Sequence, residues 1–159
     1  MHCINCILFL GIQSDKGLIL GLWNPAAILK FTEIPIKSTS NFNNISLPIT
    51  PSGLTITSMV SDPDRAVLFI AFGSYVYMAK DFSIMQKKPP IYTLLYTGKS
   101  SAVGQIAFDY LSKNLYWCDS FLNWIAMKPA YNTDETIQKV VVQDDLNYPR
   151  GLTLDPEER

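Results

Sequence analysis

The feature of this sequence that most restricts its fold is a unit that returns about every 46 or 47 residues. Each copy ends a short apolar stretch on an aspartate, and these aspartates are Asp62, Asp109 and Asp155. The fullest copy runs from Gln105 to Met127 and reads QIAFD, a polar turn, LYWCD, a second turn and WIAM. A fixed period of about 40–50 residues with several short strands per unit is typical of β-propeller blades. The sequence therefore predicts an all-β repeat protein.

Each unit is predicted to contain four short strands separated by turns. A degenerate unit is expected at residues 54–102 and a fuller one at residues 103–148. The predicted strands are Thr57–Val60, Val67–Phe72, Tyr75–Lys80 and Ile91–Tyr96 in the first unit, and Gln105–Phe108, Asn114–Cys118, Trp124–Lys128 and Thr136–Val142 in the second. An apolar period of 3.6 residues over a dozen positions, which a helix requires, is found nowhere in the chain.

The region before these units, residues 18–53, is predicted to supply opening strands and a loop. Leu18–Leu22 and Ala27–Ile34 are the expected strands, joined by a turn at Asn24 and Pro25, and a short strand is expected near Ile45–Leu47. The proline-bearing polar stretch between 37 and 53 is typical of a loop.

Residues 1–17 are interpreted as a leader or a disordered end. The apolar run from Ile7 to Ile12 is similar to the core of a signal peptide, but neither lysine nor arginine precedes it. A miscalled gene start explains the run equally well.

The unit resembles the class B repeat of the low-density lipoprotein receptor, the YWTD repeat that builds six-bladed β-propellers. The motifs that carry this resemblance are LYWCD at 115–119, YPRGL at 148–152 and LDP at 154–156. Cys118 stands where the family has threonine, and the first unit has FIAF from Phe69 in place of YWTD. The resemblance, over roughly residues 52–159, implies four-stranded antiparallel blades.

The length of the chain predicts that it holds only part of such a ring. Six blades at this period need about 270 residues, whereas the chain has 159. We therefore expect a fragment of a six-bladed propeller in which residues 149–159 begin the next, truncated blade. Because stacked repeats bury their faces against neighbours, an open half-ring is expected to self-associate or to be poorly soluble.

Recurrence indicates a structural role for the aspartates, because a catalytic acid is needed once and a blade fastener is needed in every unit. A carboxylate at a strand end can accept hydrogen bonds from turn amides that lack ladder partners. The resemblance implies that Asp119 and Arg150 help to hold adjacent blades together. Arg150 and Gly151 lie in the segment that joins one blade to the next.

Two neighbouring aromatic residues, Tyr116 and Trp117, are expected to point to opposite faces of their sheet, because side chains alternate along a strand. In a propeller both faces of a blade are covered by neighbouring blades, so both rings are predicted to be buried. Their role is then packing.

One end of the fuller unit is the candidate ligand face. The loop at 119–123 and the connection at 143–148 are expected to share this end, and they mix apolar groups with carboxylates, as protein-binding patches do. The resemblance implies ligand binding at this face. The alternative, that both are ordinary solvated loops, stays open. The candidate residues are Phe121, Leu122, Asp144, Asp145 and Tyr148.

Several other classes of function are disfavoured by composition. With a net charge of −1 and only 17% charged residues, the chain lacks the basic footprint of a protein that binds nucleic acid or anionic membranes. Cys3 and Cys6 form a CxxC pair, but His2 is the only histidine, so a four-ligand zinc set lacks partners. No cofactor is expected. Direct membrane insertion by this segment is not expected either, since no apolar stretch reaches the roughly 18 residues that a membrane-spanning helix needs.

The function expected from the resemblance is that of a non-catalytic extracellular module that binds protein ligands. The parent protein is expected to be related to the lipoprotein receptors, as an endocytic receptor or a Wnt co-receptor, secreted or held at the cell surface. The alternatives are a nidogen-like protein of the matrix or basement membrane and a calcium-dependent propeller hydrolase, which the repeated carboxylates disfavour. Asn44 begins an N-glycosylation sequon.

Overall fold

The computed structural model describes residues 6–9, 18–22, 27–31, 42–45, 47, 55–82, 89–99 and 102–155. These residues form twelve strands and a short 3₁₀ turn at Pro63–Arg65. The strands are β1 (Cys6–Phe9), β2 (Leu18–Leu22), β3 (Ala27–Phe31), β4 (Phe42–Ile45), β5 (Ile56–Asp62), β6 (Val67–Phe72), β7 (Tyr75–Lys80), β8 (Ile91–Thr97), β9 (Val103–Asp109), β10 (Asn114–Asp119), β11 (Trp124–Pro129) and β12 (Lys139–Val142).

The strands form three four-stranded antiparallel sheets, each built from four consecutive strands in chain order. We name them blade I (β1–β4), blade II (β5–β8) and blade III (β9–β12). The first strand of blade II lies beside the first strand of blade III, and β1 and β2 lie beside β5. The prediction of an all-β chain with four-stranded antiparallel blades is confirmed.

Blade I differs from the sequence-based expectation. Residues 1–17 are predicted to be a leader or a disordered end, which stays a prediction; within this range Cys6–Phe9 forms a strand that pairs with Leu18–Leu22. An apolar run near the start of a sequence is compatible with either a leader or a strand, and here Cys6–Phe9 pairs with the next described strand of the same sheet. The strand expected near Ile45–Leu47 lies instead at Phe42–Ile45. Of Ala27–Ile34, the strand covers Ala27–Phe31, and residues 32–34 lie outside the described ranges.

In blades II and III the predicted strands agree with the structure within one or two residues, apart from the start of β12. That strand begins at Lys139 rather than at Thr136. The cause is local, because the Asp134 carboxylate accepts hydrogen bonds from the amide and the hydroxyl of Thr136, at 2.9 and 2.7 Å. These bonds hold the backbone in a turn at the point where the ladder was expected to begin.

Blades II and III have the same register. In each, a residue of the second strand lies directly opposite one residue of the first strand and one of the third. The corresponding rows are Val60, Phe69 and Met78 in blade II, and Ala107, Tyr116 and Met127 in blade III. Phe69 and Tyr116 therefore occupy equivalent positions, as the repeat predicts.

Two apolar cores lie between the sheets. Buried side chains of blade I and of one face of blade II form the first core, which includes Ile28 and Met59. The opposite face of blade II and one face of blade III form the second core. There the Phe69 and Phe108 ring centroids are 5.3 Å apart. Because blade II is covered on both faces, all six residues of β6 are buried, and its sequence is a continuous apolar run rather than an alternating one.

Candidate ligand-binding face

The loop that follows β10 is fixed by Asp119, the last residue of that strand. One carboxylate oxygen, Oδ1, accepts hydrogen bonds from the backbone amides of Phe121 and Leu122 at 2.9 and 3.0 Å. The other, Oδ2, accepts one from the Tyr96 hydroxyl of β8 at 3.0 Å. Asp119 is only 1% exposed, so these bonds replace the water that its carboxylate loses on folding. Asp119 therefore caps the loop and also ties blade III to blade II.

The same loop is attached to the two connections between blades. The amide and the hydroxyl of Ser120 both donate to the carbonyl oxygen of Ala102, at 3.0 and 3.1 Å. The Asn123 Oδ1 accepts a hydrogen bond from the backbone amide of Tyr148 at 3.0 Å. The loop at 119–123 and the connection at 143–148 therefore lie at one end of blade III, where the sequence analysis placed both.

The connection is held in an unusual backbone conformation. Asp145 and Tyr148 have positive φ angles of 60° and 51°, and a large side chain such as tyrosine rarely adopts that region. Strain of this kind persists only where the surrounding structure holds it, and it is frequent at binding sites. The hydrogen bond from Tyr148 to Asn123 is one such restraint.

Two aromatic rings project from this end of the blade. Phe121 is 58% exposed and Tyr148 is 67% exposed. Asp144 and Asp145 are also exposed, whereas Leu122 is partly buried. The predicted residues thus divide into four exposed groups and one that packs partly against the blade. Together they offer apolar surface beside negative charge on loops that the protein has already ordered.

The opposite end of the blades carries a second carboxylate network that joins blades II and III. Asp62 is fully buried, and its Oδ2 accepts hydrogen bonds from the Tyr131 hydroxyl and from Lys113 Nζ, the latter at 3.3 Å. Its Oδ1 accepts one from the amide of Asp64 at 3.2 Å. The Arg65 guanidinium lies 4.2 Å from the centroid of the Tyr131 ring. The same Lys113 Nζ lies 3.5 Å from the Asp64 carboxylate, and the network fastens blade II to blade III.

Asp109 caps the turn at the same end of blade III. Its Oδ1 accepts hydrogen bonds from the amides of Leu111 and Ser112 at 2.9 and 3.1 Å, and its Oδ2 accepts one from the Ser112 hydroxyl. Asp155 holds the corresponding place in the next copy of the motif. The recurring carboxylates at 62 and 109 therefore bind turn amides.

A pair of polar side chains that was not predicted from the sequence links successive first strands. Ser58 Oγ accepts a hydrogen bond from the Ile106 amide at 3.1 Å, and Gln105 Oε1 accepts one from the Leu152 amide at 3.0 Å. Ser58 and Gln105 are 47 residues apart and occupy the same place in the repeat. Aligning the units on their aspartates would have found them.

A buried lysine was also missed. Lys128 is 1% exposed, and its Nζ donates to the carbonyl oxygens of Leu95 in blade II and Asp134 in blade III, both at 2.8 Å. Burial lowers the pKa of Lys128, and the negative charges of Asp134 and Glu135 oppose that shift. From the sequence, a lysine near the end of a strand is typical of an exposed position.

The other predicted residues fall into different environments. Trp117 is fully buried, whereas Tyr116 is only partly buried, which differs from the expectation that both rings are covered. Tyr116 faces the side of blade III on which the described residues supply no further sheet. Arg150 and Gly151 are exposed, and the carbonyl oxygen of Arg150 accepts a hydrogen bond from the Gln105 amide at 3.2 Å. Asn44 lies in β4, the outermost strand of blade I.

Tyrosine burial predicts a loss of stability at alkaline pH. Burial raises the pKa of Tyr96, with Asp119 raising it further, and burial raises the pKa of Tyr92 to about 12. In the unfolded chain both ionise near 10. Their contribution to stability is therefore complete below pH 10 and is lost as the pH rises above 10, because the unfolded chain then releases protons first.

We expect the urea midpoint to fall steadily between about pH 10 and 12, and to fall less steeply in Tyr96→Phe. Urea titrations followed by tryptophan fluorescence at a series of pH values measure both slopes. A Tyr96→Phe slope as steep as that of the wild type would contradict this account.

Comparison with known proteins shows the fold. No family model matches the sequence. A solved structure described as "Crystal structure of Nidogen/Laminin Complex" is similar over 82% of this chain and 46% of the matched chain, with a TM-score of 0.59 and 20% sequence identity. The chain thus spans less than half the length of the chain it matches, and the similarity supports a β-propeller fold.

The described residues contain no cluster of three or more histidine, cysteine, aspartate or glutamate side chains able to hold a metal ion. They also contain no helix that is long and apolar enough to cross a membrane.

Proposed function

We propose that this chain is a non-catalytic, extracellular module that binds protein ligands through the loops at 119–123 and 143–148. The observation that carries this proposal is the joining of the two loops by Asn123 and Tyr148, with the rings of Phe121 and Tyr148 exposed beside them. Tyrosine and phenylalanine are enriched at the centres of protein interfaces. A loop that is already ordered loses less conformational entropy on binding than a free one.

The chemistry of the face indicates which ligands fit it. Phe121 and Tyr148 offer flat apolar surface, and the exposed carboxylates of Asp144 and Asp145 attract positive charge. The best match is a protein segment that presents an apolar side chain close to lysine or arginine. Charge at the rim of such an interface mainly raises the rate of association and the selectivity.

Two parent proteins are compatible with this face. The class B repeat resemblance supports a lipoprotein-receptor-related protein, either an endocytic receptor or a Wnt co-receptor. The nidogen-like alternative, a matrix or basement-membrane protein, is supported by the similar structure of nidogen in complex with laminin. In both, the chain lies outside the cell, where the sequon at Asn44 would be glycosylated.

The non-catalytic assignment is supported by the recurrence of the carboxylates at 62 and 109 and by their bonds to turn amides. A calcium-dependent hydrolase would instead need carboxylates free to coordinate a metal ion. Calorimetric titration with calcium tests this point, and stoichiometric uptake would contradict the assignment.

Binding to an array of secreted proteins and receptor ectodomains tests the proposal. We expect the chain to bind at least one of them, and the double variant Phe121→Ser/Tyr148→Ser to bind at least about tenfold more weakly, because an aromatic anchor is worth about 2 kcal/mol. The matched control is Tyr110→Ser/Leu111→Ser at the opposite end of blade III, where the two residues are 46% and 52% exposed. The assignment of the ligand face would be contradicted if both double variants lost the same binding affinity, or if Phe121→Ser/Tyr148→Ser bound as tightly as the wild type.

A further inference from the structure

Three loops lie together at the end of blades II and III that is opposite the candidate ligand face. They are the 3₁₀ turn Pro63–Arg65 of blade II and, in blade III, the turns at 110–113 and 130–131. Lys113 Nζ lies 3.5 Å from the Asp64 carboxylate, and the Arg65 guanidinium lies over the Tyr131 ring. Both contacts cross from one blade to the other, so the three loops form one surface, which we call the basal surface.

The side chain of Arg65 is ordered on this surface. The backbone amide of Asp64 donates to the buried Asp62 carboxylate at 3.2 Å, which fixes the turn from which Arg65 extends. The Arg65 guanidinium lies 4.2 Å from the centroid of the Tyr131 ring, and the Tyr131 hydroxyl is itself bonded to Asp62. Less conformational entropy is then lost when a ligand binds. The guanidinium N–H groups remain able to donate, because attraction to the ring face does not require them.

Arg65 is exposed, and in the ranges that the structure describes no aspartate or glutamate forms an ion pair with it. The two nearby carboxylates are both in contact with Lys113, whose Nζ lies 3.3 Å from Asp62 and 3.5 Å from Asp64. The charges of these four side chains sum to zero, so the basal surface has little long-range field. What it offers to a ligand is the planar guanidinium, which can donate two parallel hydrogen bonds to a carboxylate.

Two exposed apolar side chains lie on the neighbouring turn of the basal surface. Tyr110 is 46% exposed and Leu111 is 52% exposed. The turn that carries them is fixed, because the Asp109 carboxylate accepts hydrogen bonds from two of its backbone amides. Lys113 ends the same turn and contacts the residue that precedes Arg65. Apolar surface and an ordered arginine therefore lie on adjacent turns, and both are enriched at the centres of protein interfaces.

We propose that the basal surface is a second protein-binding site, which takes a partner segment with aspartate or glutamate next to a large apolar side chain. Arg65 binds the carboxylate, and Tyr110 and Leu111 contact the apolar side chain. A phosphate group fits less well, because its second negative charge would face the carboxylates of Asp62 and Asp64. The candidate ligand face has the opposite preference, since its exposed carboxylates attract lysine or arginine. The two sites are therefore expected to take different partners.

Selection of peptides from a random library displayed on phage tests the proposal. The bait is the full chain carrying Phe121→Ser and Tyr148→Ser, which removes the aromatic rings of the candidate ligand face and leaves the basal surface unchanged. We expect the selected peptides to share an aspartate or glutamate beside a large apolar residue. Synthetic copies of these peptides are then titrated with the wild type and its variants, and fluorescence anisotropy measures the affinities.

Substitution of Arg65 is expected to weaken the binding of these peptides. Arg65→Gln should bind them at least about tenfold more weakly, because the substitution removes charged donors to the carboxylate. Arg65→Lys keeps the charge and is expected to retain only part of the affinity, because lysine lacks the planar guanidinium. The matched control is Arg150→Gln, which removes an exposed arginine in the segment after blade III and should leave the affinity unchanged.

The proposal is overturned if no peptide is selected, if the selected peptides carry no acidic residue, or if they bind Arg65→Gln as tightly as Arg150→Gln. Full affinity in Arg65→Lys also overturns it, since a point charge would then suffice. A thermal melt checks that each variant is folded, and if Arg65→Gln unfolds, Leu111→Ser decides by the same comparison with Arg150→Gln. Because the bait lacks the rings of Phe121 and Tyr148, failure at the basal surface leaves the proposed function unaffected.

Discussion

Trp117→Ala is expected to lower the free energy of unfolding by about 3–5 kcal/mol, the largest single effect that we predict. The Trp117 ring is fully buried between blades II and III, and its centroid lies 4.8 Å from that of Tyr96. Truncation leaves a cavity in the apolar core that joins the two blades, and neighbouring β-strands can close it only in part. Urea denaturation followed by far-ultraviolet circular dichroism, at one fixed protein concentration, measures the loss.

Trp124→Ala is the matched control for this substitution. Trp124 begins β11 of the same blade and is only partly buried, so its truncation removes less buried surface and is expected to cost clearly less than that of Trp117. Equal losses in the two variants would contradict the assignment of Trp117 to the centre of the interface.

Asp119→Ala is expected to cost about 3 kcal/mol and to loosen the candidate ligand face. The substitution leaves the Tyr96 hydroxyl without its acceptor in a buried setting, and each buried group left unsatisfied costs about 1–3 kcal/mol. It also frees the amides of Phe121 and Leu122. Hydrogen exchange at these two amides should therefore become faster, in addition to the fall in the urea midpoint.

Two control variants separate the roles of Asp119. Asp119→Asn keeps an oxygen that can accept from the loop amides, so we expect it to lose less stability than Asp119→Ala. Asp144→Ala removes an exposed carboxylate at the same end of the blade and is expected to change stability by less than about 0.5 kcal/mol. An Asp119→Ala protein as stable as Asp144→Ala would contradict both roles described for Asp119, which are hydrogen bonding to the loop amides and to the Tyr96 hydroxyl of blade II.

The repeat made most of the fold predictable from the sequence. Aspartates at a fixed spacing define the register of blades II and III, the aromatic pair Tyr116 and Trp117 marks the second strand of blade III, and the observed strands β6, β7, β10 and β11 follow the predicted positions closely. Alternation along a strand predicts that Tyr116 and Trp117 lie on opposite faces, and Trp117 lies on the face that blade II covers. Tyr116 was predicted less well, because its exposure depends on whether another sheet is present.

Several features could not be predicted because they depend on partners distant in sequence. The strand at Cys6–Phe9 is defined by its pairing with β2, and an apolar run alone does not distinguish that from a leader. Lys128 is buried because two carbonyl oxygens from different blades converge on its Nζ, which no local pattern indicates. At the candidate ligand face, the sequence predicts that the loops at 119–123 and 143–148 share one end of blade III, but it does not predict the hydrogen bond between Asn123 and Tyr148, which depends on the folded connection.

The contact between the rings of Phe69 and Phe108 tests most directly whether successive repeats stack as blades. Their centroids are 5.3 Å apart, although one residue lies in blade II and the other in blade III. With both rings assigned in a nuclear magnetic resonance spectrum, we predict a strong nuclear Overhauser effect between their protons. The absence of this cross-peak, with Phe69 instead in contact only with residues of its own repeat, would contradict the stacking of the two units.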